Sequence, residues 1–468
     1  MIARMRGQSL VLGMLLLAAG GVVWLHMYNG GQVVAARSQL THAADAVAYS
    51  GALLDARTLN MHAYINRAQV AHQIAMGHLA TMASWAQLGD AQAGQAMRGN
   101  PPAALIGMLF GPSHGTAYAS ARAALGLKVS TYETGVLAQA YAHHERTVHD
   151  VLAAASTALL AAMPRVRLEA MQQVLAANYR SPNQALASAQ SILSRAGLSL
   201  QVDDRGSDAV VQNQVQPGQG LRALIDQAVA GYAFLGPRNH TARNPWIVSS
   251  RCPHLRHELR RRGQTRLGDD GTWQSGDSES FHALRSNRWI GCYYREYPMG
   301  WGLQYPDHVA KADGYDDVVD PPDDFSREAF WRWAQAHTGW DLLGGRSNPL
   351  ADSRAAAGAV RWRTRGLPRY AALSARRADA GTVLNVVVRQ RAASLSTTDA
   401  ASRVRVGTGL FAYRGLSDDQ AVTVTSAAQT YFVRPEGRAD GRTELASLFH
   451  PYWQARLVAS SRVLPAKR

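Results

Sequence analysis

Cysteine is almost missing from this chain. Cys252 and Cys292 are the only two among 468 residues, which excludes a disulfide-rich scaffold and a cysteine-rich zinc module. Lysine occurs only at Lys128, Lys311 and Lys467, so the excess of 49 basic over 34 acidic residues, a net +15, is almost all arginine. The arginines are scattered, with short runs such as Arg260–Arg262, and they form neither a stripe nor a recognisable nucleic-acid module. Nucleic acid is therefore not an expected partner. A Walker loop, a dinucleotide fingerprint and a nucleophile elbow are also missing, and no period repeats along the chain. What remains is 47% hydrophobic, enough for packed cores, and long enough for two or three units.

Long apolar runs are missing too, except at the N-terminus. Arg4 and Arg6 precede an uncharged stretch whose apolar centre covers residues 9–28 and includes Leu10, Val11, Leu12, Val22, Val23, Trp24 and Leu25. Twenty helical residues rise ~30 Å, the thickness of a bilayer core. Trp24 and Tyr28 fall where an interfacial aromatic belt sits, and the two arginines assign residues 1–8 to the cytoplasm. The rest of the chain is then expected across the membrane, because no second run is long enough to return. A cleaved signal peptide is the alternative, with Val34-Ala35-Ala36 as its small-residue site. The length of the run and the helical sequence that continues past that site favour a retained anchor. Gly7 would suit a prepilin leader, but Leu12 stands where the processing glutamate belongs.

Beyond the apolar run comes Ala36-Arg37-Ser38-Gln39-Leu40-Thr41-His42-Ala43-Ala44-Asp45-Ala46-Val47-Ala48-Tyr49-Ser50-Gly51-Ala52. With Arg6-Gly7-Gln8-Ser9 before the run, this resembles the N-terminal signature of TadG-like Flp pilus-assembly proteins, over about the first 55 residues. The run Leu445-Ala446-Ser447-Leu448-Phe449-His450-Pro451-Tyr452-Trp453-Gln454-Ala455-Arg456-Leu457 resembles the ends of some members. The resemblance implies a non-enzymatic, single-pass inner-membrane protein of the tight-adherence secretion system, a minor pilin-like or anchoring component, with its bulk in the periplasm and possible incorporation in the pilus. It also implies other pilus-assembly or pilin subunits as partners, and Gly7, Gln8, Arg37, Leu40, Ala43, Ala44, Asp45 and Ala48 as contact candidates. Physically, the small residues form a smooth helix face that admits close neighbours. Asp45 and Arg37 are too far apart for a one-turn pair, so either would need a partner elsewhere if buried. Some relatives carry a metal-binding Asp-x-Ser-x-Ser motif; none occurs here, and no cofactor is expected.

The fold class expected is α+β. A membrane helix continues into an Ala-rich helical stalk or bundle over 29–197, with a Gly/Pro linker near 90–113, followed by a mainly antiparallel domain over 198–468. Helical spacing covers Gln32–Gly89 and Gly115–Tyr179, with Pro164 dividing the second stretch, and a further helix covers Asn183–Ala196. Strands are expected at Leu198–Val202, Trp289–Tyr294, Val360–Arg365, Thr382–Arg391, Val404–Tyr413 and Ala421–Val433, and short helices at Leu221–Tyr232 and Arg327–His337.

Four groups invite a chemical reading. Cys252 and Cys292 would pair in an oxidising compartment, the alternative being two buried thiols. His143-His144-Glu145-Arg146-Thr147-Val148-His149 lacks zincin spacing, since His144 and His149 lie ~500° apart on a helix, so a polar helix face is expected. Asp313, Asp316, Asp317, Asp320, Asp323 and Asp324 lack calcium-loop spacing and read as a solvated acidic loop, which could meet arginines such as Arg260–Arg262. Trp289, Tyr293, Tyr294, Tyr297, Trp301 and Tyr305 are expected in a β-rich core, although they could also line a binding surface. The alternative function is an extracytoplasmic enzyme, anchored or secreted, with its site in the C-terminal domain.

Overall fold

A computed structural model describes residues 8–182, 187–203, 211–214, 219–288, 291–308, 357–373, 382–398 and 420–460. Gly7, Trp289, the acidic segment 313–324, the expected helix 327–337 and the expected strand 404–413 lie outside them.

In chain order the helices are α1 (Gln8–Arg98), α2 (Ala103–Phe110), α3 (Pro112–Ser120), α4 (Val136–Arg146), α5 (Ala153–Asn178), α6 (Ala189–Arg195) and α7 (Gln219–Val229). The strands are β1 (Leu198–Asp203), β2 (Val211–Gln214), β3 (His240–Arg243), β4 (Glu258–Leu267), β5 (Trp273–Asn287), β6 (Gly291–Pro306), β7 (Ala357–Trp362), β8 (Tyr370–Leu373), β9 (Thr382–Arg391), β10 (Ala421–Phe432) and β11 (Trp453–Val458). No proline interrupts α1, and the chain leaves it at Gly99, whose φ of 65° suits a residue without a side chain.

The chain forms two compact units. One comprises residues 1–66, 156–213 and 371–468; the other comprises 67–155 and 214–370. Each therefore joins helix from the N-terminal half to strands from the C-terminal half, and neither border falls at the expected domain border at 197/198. Composition reports which elements a segment forms; burial of apolar surface decides which elements fold together.

In the first unit, β1, β9, β10 and β11 form an antiparallel sheet in the order β1-β9-β10-β11. The β-branched run Val386–Val388 places Val386 and Val388 on the face that meets the helices. That face packs on Leu40, Ala43, Ala44, Val47, Ala48 and Ala52 of α1 and on Met171, Leu175 and Ala176 of α5. A side chain at Gly51 would collide with Leu384 and Met171, so α1 meets the sheet at a distance that only small residues allow. Farther along, Ala56 and Leu59 pack with Ala371, Leu448 and Trp453.

Helix α5 departs from expectation. Pro164 does not divide it: the helix runs unbroken from Ala153 to Asn178. An interior proline costs about 3 kcal/mol. Here both flanks are held, Ser156 by a 3.0 Å hydrogen bond with His62 and Arg167 by a 3.1 Å ion pair with Asp55.

In the second unit the order is β3-β4-β5-β6-β7, antiparallel except for the parallel pair β6/β7. Residues 90–113, expected as a linker, instead contain the end of α1, all of α2 and the start of α3. Pro112 sits at the first position of α3, where its missing N–H costs nothing. Ile106, Leu109 and Tyr118 carry this segment into a core with Phe281, Ala283 and Met299. A Cβ at Gly302 of β6 would fall on the Ser84 carbonyl of α1, so here too helix and sheet meet at a glycine.

Candidate membrane anchor and the helix beyond it

The first three turns or more of α1 are unlike the rest. Leu10, Leu15, Leu16, Leu17 and Trp24 are exposed, Leu17 at 79%, and the most apolar window of α1 is uncovered on all sides. A helix apolar all round is stable when surrounded by protein or lipid, not water. The segment is long and apolar enough to cross a membrane, and by length and composition so is a second stretch, Leu127–Asn178, which corrects the expectation that no other run could. Trp24 and Tyr28 stack one turn apart at 6.0 Å between centroids.

The transition to folded protein is sharp. Asn29, one residue past the apolar run, is 1% exposed. Its Nδ2 donates to Thr398 Oγ1 at 2.8 Å, and its Oδ1 accepts from the Thr398 N–H at 2.8 Å. Similar amide clasps follow up the helix. Asn60 Nδ2 donates to the Trp453 carbonyl at 3.0 Å while its Oδ1 accepts the Trp453 N–H at 3.0 Å. Asn66 Nδ2 donates to the carbonyls of Ala371 and Leu448, both at 2.8 Å. Each amide satisfies a backbone group that the neighbouring strand or loop leaves unpaired. Sequence reasoning missed these residues, because partners more than 300 positions away leave no local signal.

The contact candidates divide in two. Leu40, Ala43, Ala44 and Ala48 are fully buried, covered by this chain's own sheet and by α5. They are corrected from partner-facing to core residues: the smooth small-residue face receives strands β9 and β10 in place of a second protein. Asp45 is half-buried and accepts from Ser426 Oγ at 2.6 Å, the off-helix partner its position required. Arg37 is exposed, and Gln8 begins α1 at the membrane end.

In the second unit Cys252 and Cys292 form a disulfide with Cα atoms 6.2 Å apart, tying β6 to the turn before β4. Closing a loop of this length contributes roughly 3–4 kcal/mol. Of the aromatic group, Tyr294, Trp301 and Tyr305 are buried and Tyr297 is half-buried, as expected for a β-rich core.

The titratable groups of this unit are largely occupied internally. Asp277 accepts two bonds from Arg238, both at 2.9 Å, and one from Ser84 at 2.6 Å. Arg260, from the basic run, pairs with Glu258 at 2.6 Å. Glu279 accepts from Gln92 at 2.5 Å, and burial pushes its carboxyl above the usual range despite nearby Arg261. The histidine-rich segment is a polar helix face that is partly covered, with His143 and Arg146 exposed and Glu145 buried. His144 meets His72 with Nδ1 atoms 2.6 Å apart, while buried Glu145 accepts from Thr364 Oγ1 at 2.7 Å and lies 3.4 Å from His149. A π-helical turn, Thr147–Leu152, begins just past Glu145. Among the described residues no group of three or more His, Cys, Asp or Glu side chains converges as metal ligands. An open groove of about 370 Å³ is lined by Arg266, Leu267, Gly268, Asp269, Asp270 and Gln274 at the β4–β5 turn. It gathers carboxylates and an arginine but no nucleophile–base pair.

Comparison with protein-family models, with curated proteins and with solved structures found no match to this chain.

Proposed function

We propose that this chain is a single-pass inner-membrane protein acting by protein–protein contacts as an anchoring or minor pilin-like component of Flp pilus assembly. The observation that carries the membrane part is the uncovered apolar helix over residues 9–28, continuous with a folded unit that begins at Asn29. The assembly part rests on the resemblance of the first 55 residues and of the C-terminal run to TadG-like proteins. Helix α1, which carries the first of these stretches, also meets the second: Asn60 of α1, beyond the first stretch, binds the backbone of Trp453, a residue of the C-terminal run. Partner contacts then fall to the membrane helix with Gln8, to Arg37 and to the exposed side of α1, and Leu40, Ala43, Ala44 and Ala48 act by packing.

The test is fractionation and protease protection of a C-terminally tagged chain, with piliation scored in a deletion strain. The expected result is a membrane-bound protein digestible only from the periplasmic side, and loss of pili or adherence on deletion. Release as a shortened soluble species, or full piliation without the protein, would overturn it.

A further inference from the structure

We propose that the end of the first unit next to the membrane helix is a docking surface for anionic phospholipid headgroups. The proposal rests on the reading of residues 9–28 as an anchor and extends it from the helix to the folded unit.

The hydrogen bonds order this unit along α1. Thr430 Oγ1 donates to the Ala52 carbonyl, and Ser426 Oγ donates to Asp45, so moving toward the anchor along α1 leads to the start of β10. There Ala421 pairs with Arg391, the last residue of β9, and Leu198, the first residue of β1, pairs with Gln390. Helix α5 runs the opposite way: Arg167 meets Asp55, and the Asn178 carbonyl accepts from Gln39. The turn after β9 descends farthest and ends on Asn29 through Thr398. The end of α5, the end of α6, the start of β1 and the end of β9 therefore gather at the level of α1 residues 29–40, within about 18 Å of the apolar span.

Among the described residues, charge at this end has one sign. Arg37, Arg180, Arg195 and Arg391 are exposed there, and Arg389 is half-buried on the same strand. The described residues 29–44, 172–182, 187–202, 386–398 and 420–426 contain no Asp or Glu. The nearest described carboxylates on these elements are Asp45, bonded to Ser426, Glu169, bonded to Arg165, and Asp203 at the far end of β1, all farther from the anchor. Arg195 donates to Ser191 Oγ, and none of the five arginines has an ion-pair partner among the described residues.

A rim whose described charged side chains are all arginine, beside an emerging membrane helix, suits lipid phosphates. Guanidinium groups bind phosphate through paired donors, and basic residues near an anionic leaflet are attracted over about a Debye length, ~10 Å at moderate salt. A protein interface would need a buried apolar centre, and Val34 is the sole large apolar side chain exposed among these described residues.

The experiment uses the full chain in nanodiscs of phosphatidylcholine alone or with about a third phosphatidylglycerol. The native cysteines are joined, so Ser396→Cys supplies a single thiol for a donor dye, with acceptors on the lipid headgroups. The expected result is energy transfer about twofold higher in the anionic discs, a difference lost in about 0.5 M salt and lost in the combined variant R37Q/R180Q/R195Q/R391Q. Equal transfer in both discs at low salt overturns the proposal, and so does a difference that survives salt or the variant. A chain that enters neither disc overturns the anchor together with the rim, whereas entry into both with equal transfer overturns the rim alone.

Discussion

Asn29 and Thr398 are 369 residues apart in the chain and hold each other by two hydrogen bonds of 2.8 Å, one in each direction. Through this pair the first residue after the apolar span is locked to the turn that follows β9. Folded structure thus begins within one residue of the segment assigned to the membrane, with no flexible spacer between them.

Replacing Asn29 by Ala leaves the Thr398 N–H without its acceptor in a buried place. Leaving a buried donor unsatisfied costs about 1–3 kcal/mol. Thermal unfolding of the full chain in detergent is expected to show that loss, with faster amide exchange over residues 391–398. Unchanged exchange there would remove the clasp from the account.

The buried pair of Asp55 and Arg167, joined at 3.1 and 3.2 Å, is expected to be asymmetric under mutation. Arg167→Leu alone strands a buried carboxylate and should cost about 3–5 kcal/mol. Asp55→Leu with Arg167→Leu should recover much of that loss, because the desolvation penalty of both charges disappears. Denaturant unfolding of the two variants checks this; equal destabilisation would mean the charges are not paired in solution.

His62 links stability to pH. It is buried, with Nδ1 3.0 Å from Ser156 Oγ, and burial pushes its pKa down to about 4. Its folded value lies below the unfolded value of 6.5, so protons favour the unfolded chain. Stability from this group is complete above pH 6.5 and is lost as pH falls toward 4. His62→Gln should flatten the pH dependence by up to about one proton across that window. A slope unchanged by the substitution would assign the acid sensitivity elsewhere.

Gly302→Ala places a methyl group against the Ser84 carbonyl of α1, which belongs to the helix backbone and cannot swing aside. Overpacking of this kind costs about 1–3 kcal/mol. Gly437→Ala, where a Cβ meets open space, is the matched control and should have little effect on the melting temperature.

Reducing the Cys252–Cys292 bond is expected to destabilise the second unit by about 2–5 kcal/mol. Proteolysis of the reduced and oxidised chain would locate the effect, with new cleavage between residues 252 and 292 the expected result.

How far the fold was legible in the sequence can be judged from individual elements. Strand β9 was legible to its end residues, because Val383, Val386, Val387 and Val388 are β-branched and a turn signal stands at each side. Strands β4 and β5 were not. Glu258-Leu259-Arg260-Arg261-Arg262 reads as a charged surface run, yet Glu258, Arg260 and Arg262 are buried. Arg260 pairs with Glu258, and Arg262 donates to the His240 carbonyl at 3.0 Å on β3, a partner about twenty residues away that the local pattern does not reveal. The same holds for Ser275 and Asp277, polar residues whose inward direction depends on Ser84 and Arg238.

Local chemistry alone determined the apolar span, the unbroken course of α1 after it, the strand character of β9 and β10, and the presence of two cysteines able to pair. These depend on backbone propensity and on spacing within a few turns. The tertiary structure decided what covers each face. It turned the small-residue stripe at Leu40, Ala43, Ala44 and Ala48 inward against β9 and β10, carried α5 through Pro164, and folded residues 90–113 into helices. Each of these outcomes is set by burial against residues tens to hundreds of positions away, and the free energy of such burial exceeds the local preferences it overrides.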